Sequence, residues 1–265
     1  MKNLISMFLF CFWNLITIAT NANPFEHFDI VDLTHAFDAD TIYWPTENDF
    51  RHTESFSGNT EGGWYYSAYS VETAEHGGTH LDAPIHFARD RWTTDEIPLQ
   101  RLFTPAVVID VQEQVAADND YEITVGDIEK WEKNYGPIPA GAAVLANTGF
   151  ARFWPSRLEY LGTEERGAEA VASLHFPGFS RESAEFLTNH RDIAAVGLDT
   201  ASIDPGQSQD FIVHRILYEK NIIGYENVAN LDALPATGAW IMALPMKIAG
   251  GSGAPLRIIG LVPNH

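Results

Sequence analysis

Glu75-His76-Gly77-Gly78-Thr79-His80-Leu81-Asp82-Ala83-Pro84-Ile85-His86-Phe87 gathers three of the chain's ten histidines into a short run, with the Asp82 carboxylate among them. Imidazole and carboxylate together suit zinc or manganese and leave coordination positions open, so this is a candidate metal site. The spacing of His76 and His80 matches a helical HExxH site, but no Glu follows His76. Gly77 and Gly78 would each cost a helix about 1 kcal/mol relative to Ala. A turn followed by an extended segment fits better. In an extended segment His80 and Asp82 share a face, because side chains alternate with period two, and the glycines let His76 fold back toward them. Pro84 disfavours helix at Ala83, so His86 follows a bend and begins a new element, facing the ion without binding it.

Working outward, short apolar runs at Ala106–Val111, Ala142–Ala146, Ile193–Leu198, Trp240–Leu244 and Leu256–Val262 are bounded by Gly, Pro or Asp and read as buried strands. Thr124–Tyr135 reads as a helix with Thr124 and Asp127 as a capping pair and Ile128, Trp131 and Tyr135 at helical spacing. Ser180–Asn189 repeats the pattern with Ala184 and Leu187. Strands outnumber helices, which gives an α/β class with a mixed sheet and helices packed on it. No repeat or Pro/Gly/Ser-rich linker divides the chain, and 265 residues with 45% hydrophobic content suffice for one core.

The formal net charge is −20, and the 16 Lys and Arg are scattered. No basic stripe could neutralise phosphates, which excludes nucleic acid as a partner and disfavours an anionic membrane surface. Residues 1–22 have Lys2, an apolar run from Leu4 to Ile18 and a small residue at Ala22. They read as a secretory signal peptide, cleaved after Ala22, leaving residues 23–265 as the exported domain, secreted or periplasmic and free of membrane. The single cysteine, Cys11, lies in that leader, so the exported domain has no disulfide and no Cys ligand.

The His76–Phe87 run resembles the HxGTHxDxPxHF signature of the cyclase family of metal-dependent hydrolases, which includes kynurenine formamidases and isatin hydrolases. His175-Phe176-Pro177-Gly178, Gly197 to Gly206, the pair His214 and Glu226 with Asn227, and Pro245 to Pro255 look like further landmarks, so the resemblance spans nearly the whole exported domain. The wording of Asp199–Gly206 and Ala243–Pro255 is most similar to isatin hydrolase. The resemblance implies the swivelling β/β/α architecture with a barrel-like sheet, and a homo-oligomer, a dimer or higher. It also implies His76, His80 and Asp82 as core ligands of a divalent ion, with manganese preferred and zinc the alternative. In two-zinc formamidases a His and a Glu at the separation of His214 and Glu226 complete a second metal site, whereas isatin hydrolase uses one ion. On the one-ion pattern His214 faces substrate, and Glu226 remains a candidate ligand. The chain departs from the family at Asn147, where many relatives carry Arg before Thr-Gly.

Trp44, Phe87 and Trp92 are candidate walls of an apolar slot suited to a flat aryl amide or lactam. Gly250-Gly251-Ser252-Gly253 reads as a flexible loop at the pocket rim rather than a phosphate cradle, because no Gly-Lys-Ser/Thr follows. The expected function is hydrolysis of an isatin-like lactam to its carboxylate by metal-activated water, with His86 moving the proton. Two alternatives stand beside it: arylformamidase activity, and an exported protein that binds a metal and a small acid without turnover.

Overall fold

The computed structural model describes residues 25–264, so the leader expected at residues 1–22, with Cys11, lies outside the described residues. Twelve strands and five α-helices alternate along the described chain. The strands are β1 (Phe28–Asp32), β2 (Arg51–Asn59), β3 (Tyr65–Glu72), β4 (His80–Asp82), β5 (Phe103–Asp110), β6 (Glu122–Ile123), β7 (Ala142–Asn147), β8 (Gly178–Phe179), β9 (Ile193–Leu198), β10 (Ile223–Glu226), β11 (Ala239–Pro245) and β12 (Gly253–Pro263). The helices are α1 (Gln112–Ala117), α2 (Val125–Tyr135), α3 (Arg157–Leu161), α4 (Arg181–His190) and α5 (Ile212–Tyr218).

The main sheet runs β1-β12-β11-β5-β7-β9-β10-β4, and β4 pairs back onto β12. Seven strands therefore close into a ring, with β1 added outside β12, as the barrel-like α/β reading requires. The stretch β5-β7-β9-β10 is parallel, and β11, β12 and β4 are antiparallel to their neighbours. Alternate residues of the ring strands, among them Leu81, Val108, Leu145, Ala195, Tyr225, Ile241 and Ile258, form the core inside the barrel. The intervening residues, such as Ile109, Val144 and Val196, meet Ile128, Trp131, Ala184, Leu187 and Leu217 of the helices in a second core outside it. Strands buried on both faces read as continuous apolar runs, and this is why β5, β7 and β9 are visible in sequence.

The helix boundaries follow their caps. Thr124 accepts from Asp127 N, and Asp127 accepts from Thr124 N, closing the expected box on α2; Ser180 caps α4 through Ser183 N. Tyr135, expected on the buried face of α2, is 52% exposed and rests against Trp131.

Strands β2 and β3 pair only with each other among the described residues. They form a two-stranded ribbon carrying Phe56, Trp64, Tyr65, Tyr66, Tyr69 and Val71, all exposed. The apolar-run criterion misses this ribbon because its residues face solvent on both sides.

Candidate metal centre

Leu81 fills the barrel interior, so its neighbours His80 and Asp82 on β4 point to the outer face, where α5 packs. The antiparallel register of β4 with β10 sets Glu226 opposite His80 and Gly224 opposite Asp82. Gly78, in the left-handed region at φ 56°, and Gly77 at φ 155° turn the chain before β4, and this carries His76 back over the strand. Ala83 remains extended and Pro84 starts a short 3-10 turn ending at His86, as the bend at proline requires.

Two groups of ligand atoms result, His76-His80-Asp82 and Asp82-His214-Glu226, each compact enough for one ion and sharing Asp82. His76 Nδ1 lies 2.6 Å and His80 Nε2 3.1 Å from Asp82 Oδ1; His214 Nε2 lies 3.3 Å from Asp82 Oδ2 and 3.2 Å from Glu226 Oε1. The outer contacts fix which nitrogen faces the centre. Nδ1 of His80 donates to Gly78 O at 2.9 Å, leaving Nε2 turned inward. His214 Nδ1 bonds Asp204 Oδ2 at 2.6 Å, and Asp204 also accepts the Val213 and His214 backbone N–H groups at the start of α5. His76 Nε2 bonds Ser252 Oγ at 2.9 Å, and Ser252 in turn donates to Glu75. The Tyr218 hydroxyl donates to Asp82 Oδ2 at 2.8 Å. Such carboxylate-backed imidazoles are characteristic of metal ligands.

Whether the residues fit an ion is tested by His80 Nε2. It is buried, it has no hydrogen-bond partner, and it lies among two carboxylates. A carboxylate-rich cage with an orphaned imidazole nitrogen is incomplete without a cation. The titration behaviour agrees. Burial alone would raise the Asp82 carboxyl, but His76, His214 and His80 hold it well below the usual range. Burial opposes charge on His80, yet Asp82 and Glu226 lift it to about 8, and Asp204, Asp82 and Glu226 raise His214 well above its ordinary value. Protons thus occupy the positions that a cation would take, and metal binding releases them.

Beside this centre opens a pocket walled by Ile42, Tyr43, Trp44, Phe87, Ala201 and Phe211. His86 borders it, stacked on His76 with ring centroids 3.8 Å apart; burial, aided by the surrounding imidazoles, pushes its pKa down to about 3. It is therefore neutral at neutral pH.

The expected residues His76, His80, Asp82, His86, His214, Glu226, Trp44 and Phe87 all meet at this cavity. Trp92 does not. The chain turns after the 3-10 segment, Ile85 N bonds Trp92 O, and the indole packs on the barrel-interior core instead. His214 lies within α5, and its Nε2 faces the Asp82 and Glu226 carboxylates. The Gly250–Gly253 stretch is no rim: Ser252 stands behind His76, and Thr94 bonds Gly251 O, which anchors it. Sequence reading missed Phe211, Asp204 and Tyr218. The acid before Pro205 and the aromatic four residues after His214 carry no local signal without the register that brings them together.

The "Putative cyclase" family model matches residues 31–205. The chain is 36% identical to isatin hydrolase of Roseibium aggregatum over 198 residues, covering 72% of this chain and 73% of that one. It is 25% identical to kynurenine formamidase of Salinibacter ruber over 230 residues, covering 87% and 96%. Among solved structures, isatin hydrolase A from Labrenzia aggregata, bound to benzyl benzoate, superposes with TM-score 0.81 at 34% identity, covering 90% of this chain and 95% of that one. An isatin hydrolase bound to the product analogue thioisatinate gives 0.82 at 30%, covering 90% and 94%.

Proposed function

Because the chain belongs to the cyclase family of metal-dependent hydrolases, we propose that it hydrolyses the lactam of isatin or a close aryl analogue. The observation that carries this reading is the placement of neutral His86 between the ligand cluster and an aromatic cavity. His76, His80 and Asp82 would hold a divalent ion, with manganese favoured and zinc the alternative. When bound, the ion lowers the pKa of a coordinated water and polarises the lactam carbonyl. Trp44, Phe87 and Phe211 clamp the flat ring and exclude bulk water. His86 takes the proton of the attacking water and returns it to the ring nitrogen as the C–N bond breaks, leaving an aryl amine and a carboxylate. Asp204, Ser252 and Gly78 O keep the three imidazoles in orientation throughout. Glu226 and His214 share Asp82 with the first triad; we favour a single ion, with Glu226 as a further ligand and His214 facing substrate.

A hydrolysis screen of isatin against N-formylkynurenine, with manganese and zinc supplied separately, tests the reading. Preference for isatin is expected, and faster turnover of the formamide would reassign the substrate. The exported location rests on residues 1–22, and N-terminal sequencing of protein from its native source should begin at Asn23. The homodimer is supported by the exposed aromatics of β2 and β3, since a two-stranded ribbon is at best marginal in water without a surface to cover it. Light scattering that gives a monomer would remove that part.

A further inference from the structure

Of the residues that line the pocket beside the ligand cluster, Glu47 alone is exposed, so it stands at the mouth. Its position is fixed locally. Trp44-Pro45-Thr46-Glu47 is a tight turn closed by Glu47 N donating to Trp44 O at 3.0 Å, with proline at the second position, where its fixed φ is favoured. Gly167 N donates to Pro45 O at 2.8 Å and Arg166 Nη2 to Glu47 O, and these bonds tie the turn down. Trp44 thus walls the pocket, and Glu47 follows it at the opening.

The charges around this opening are one-sided. Arg166, which touches the turn, is engaged by Asp49 at 2.6 Å, and the Glu47 carboxylate forms no ion pair among the described residues. Arg157 lies behind the wall, donating to Tyr43 O at 3.2 Å, and lines no part of the pocket. Among the described residues no Lys or Arg lines it at all. Deeper in, Asp82 and Glu226 carry two negative charges, which match those of a divalent ion and leave no positive excess for a substrate. Neutral donors are scarce as well. The Asn227 amide is committed to Gly78 O at 2.7 Å and the Tyr160 hydroxyl at 2.9 Å, and the Tyr43 hydroxyl to Thr73 at 2.6 Å. Of the hydroxyl and amide side chains in the lining, only Ser202, which accepts Asp204 N at 3.2 Å, keeps a hydrogen to give. An anionic group on the far edge of the ring would lose its hydration against Ile42, Trp44, Phe87 and Phe211 without gaining a cation, and would pass the Glu47 carboxylate on entry.

We propose that Glu47 is a specificity-determining residue, which with the cation-free wall restricts the pocket to uncharged aryl lactams and amides and rejects those carrying a carboxylate or sulfonate. The inference rests on the lactam-hydrolase reading and narrows it. N-formylkynurenine, whose amino-acid carboxylate finds no cation in the wall, falls on the rejected side. The carboxylate that hydrolysis creates differs, since it forms on the scissile carbon beside the ion.

The test compares the sulfonate and the sulfonamide of isatin, substituted at the same position of the benzene ring, with protein loaded with one equivalent of manganese. The two have nearly one shape and differ in charge at neutral pH. The sulfonamide should be preferred in kcat/KM by about tenfold or more. Glu47→Gln should shrink that preference about two- to fivefold, the effect of one exposed charge, and Glu47→Lys by roughly the square of that factor. Sodium chloride at ~0.5 M should narrow the differences among the three proteins, because exposed charges are screened. A change of fold or fit would alter both substrates alike, so the ratio isolates charge. Equal turnover of the two compounds by the unsubstituted protein, a preference unchanged in Glu47→Lys, or a variant effect indifferent to salt overturns the proposal. If neither compound nor isatin itself is hydrolysed, the lactam reading fails and this inference falls with it.

Discussion

His86 and Asp82 are four residues apart, yet their surroundings give them opposite tasks. Asp82 is clamped between three imidazoles and a tyrosine hydroxyl, while the His86 side chain stacks on His76 and meets Phe87 edge-on. Asp82→Ala should therefore lose the ion. His86→Ala should keep it and lose turnover by roughly 10² to 10⁴ fold, the usual range for a removed general acid or base. Metal analysis beside kcat decides this, and loss of metal in His86→Ala would make that residue a ligand instead. His35 yields a pH prediction. Burial lowers its pKa from the ordinary 6.5 to about 4, so between those values the unfolded chain binds more protons than the folded one. Its neutral form stabilises the fold in full above about pH 6.5, and this contribution, at most about 3 kcal/mol, is lost as pH falls toward 4. His35→Phe, which keeps the stack on Trp154, should flatten the stability profile across that window in urea titrations. An unchanged slope would assign the acid limb to other groups.

The elements that carry the site differ in how far sequence reveals them. The strand β4 is only three residues long, but its alternation, the glycine turn before it and the proline after it are all local rules, so His76, His80, Asp82 and His86 could be grouped from spacing alone. His214 and Glu226 lie far along the chain, and the β4–β10 register and the seat of α5 bring them in; neither has a local signature. Trp92 went astray for the same reason, since closeness in sequence to the ligand run says nothing of which core its turn meets. Strand β12 supplies an element-scale prediction. A Cβ at Gly253 would lie about 2.5 Å from His76 Cε1, and the ring has no room to retreat because His86 stacks on it. The same Cβ would lie 2.8 Å from the Leu81 carbonyl oxygen, so Gly253→Ala should both loosen the β4–β12 pairing, lowering Tm, and weaken metal affinity by roughly 10- to 100-fold, the effect of disturbing a ligand's support. Manganese titration reads it, and wild-type affinity would mean that His76 is not a ligand.

At the scale of the molecule, the ring of seven strands gives two faces different work. The inside is packed with aliphatic side chains and Tyr225, and the outside at β4 and β10 carries the charged cluster under α5. Class and core were legible because strands buried on both faces are written as apolar runs. Ring closure through β4–β12 was not, because β4 is too short to register as a strand, and the fold reading there depended on family resemblance. An ion that binds only this assembled outer face stabilises the whole. Its removal by chelation should lower Tm by about 5–10 °C relative to protein held at a hundredfold excess of metal over Kd, and an unchanged Tm would place the ion outside the folded core. On the proposed function, lactam hydrolysis requires an ion at His76, His80 and Asp82. The direct measurement is the initial rate of isatin ring opening by exhaustively chelated protein as manganese is added back, plotted against manganese bound per chain. No rate at zero, a linear rise and a plateau at one equivalent are expected; full activity in the metal-free protein would refute the requirement for the ion.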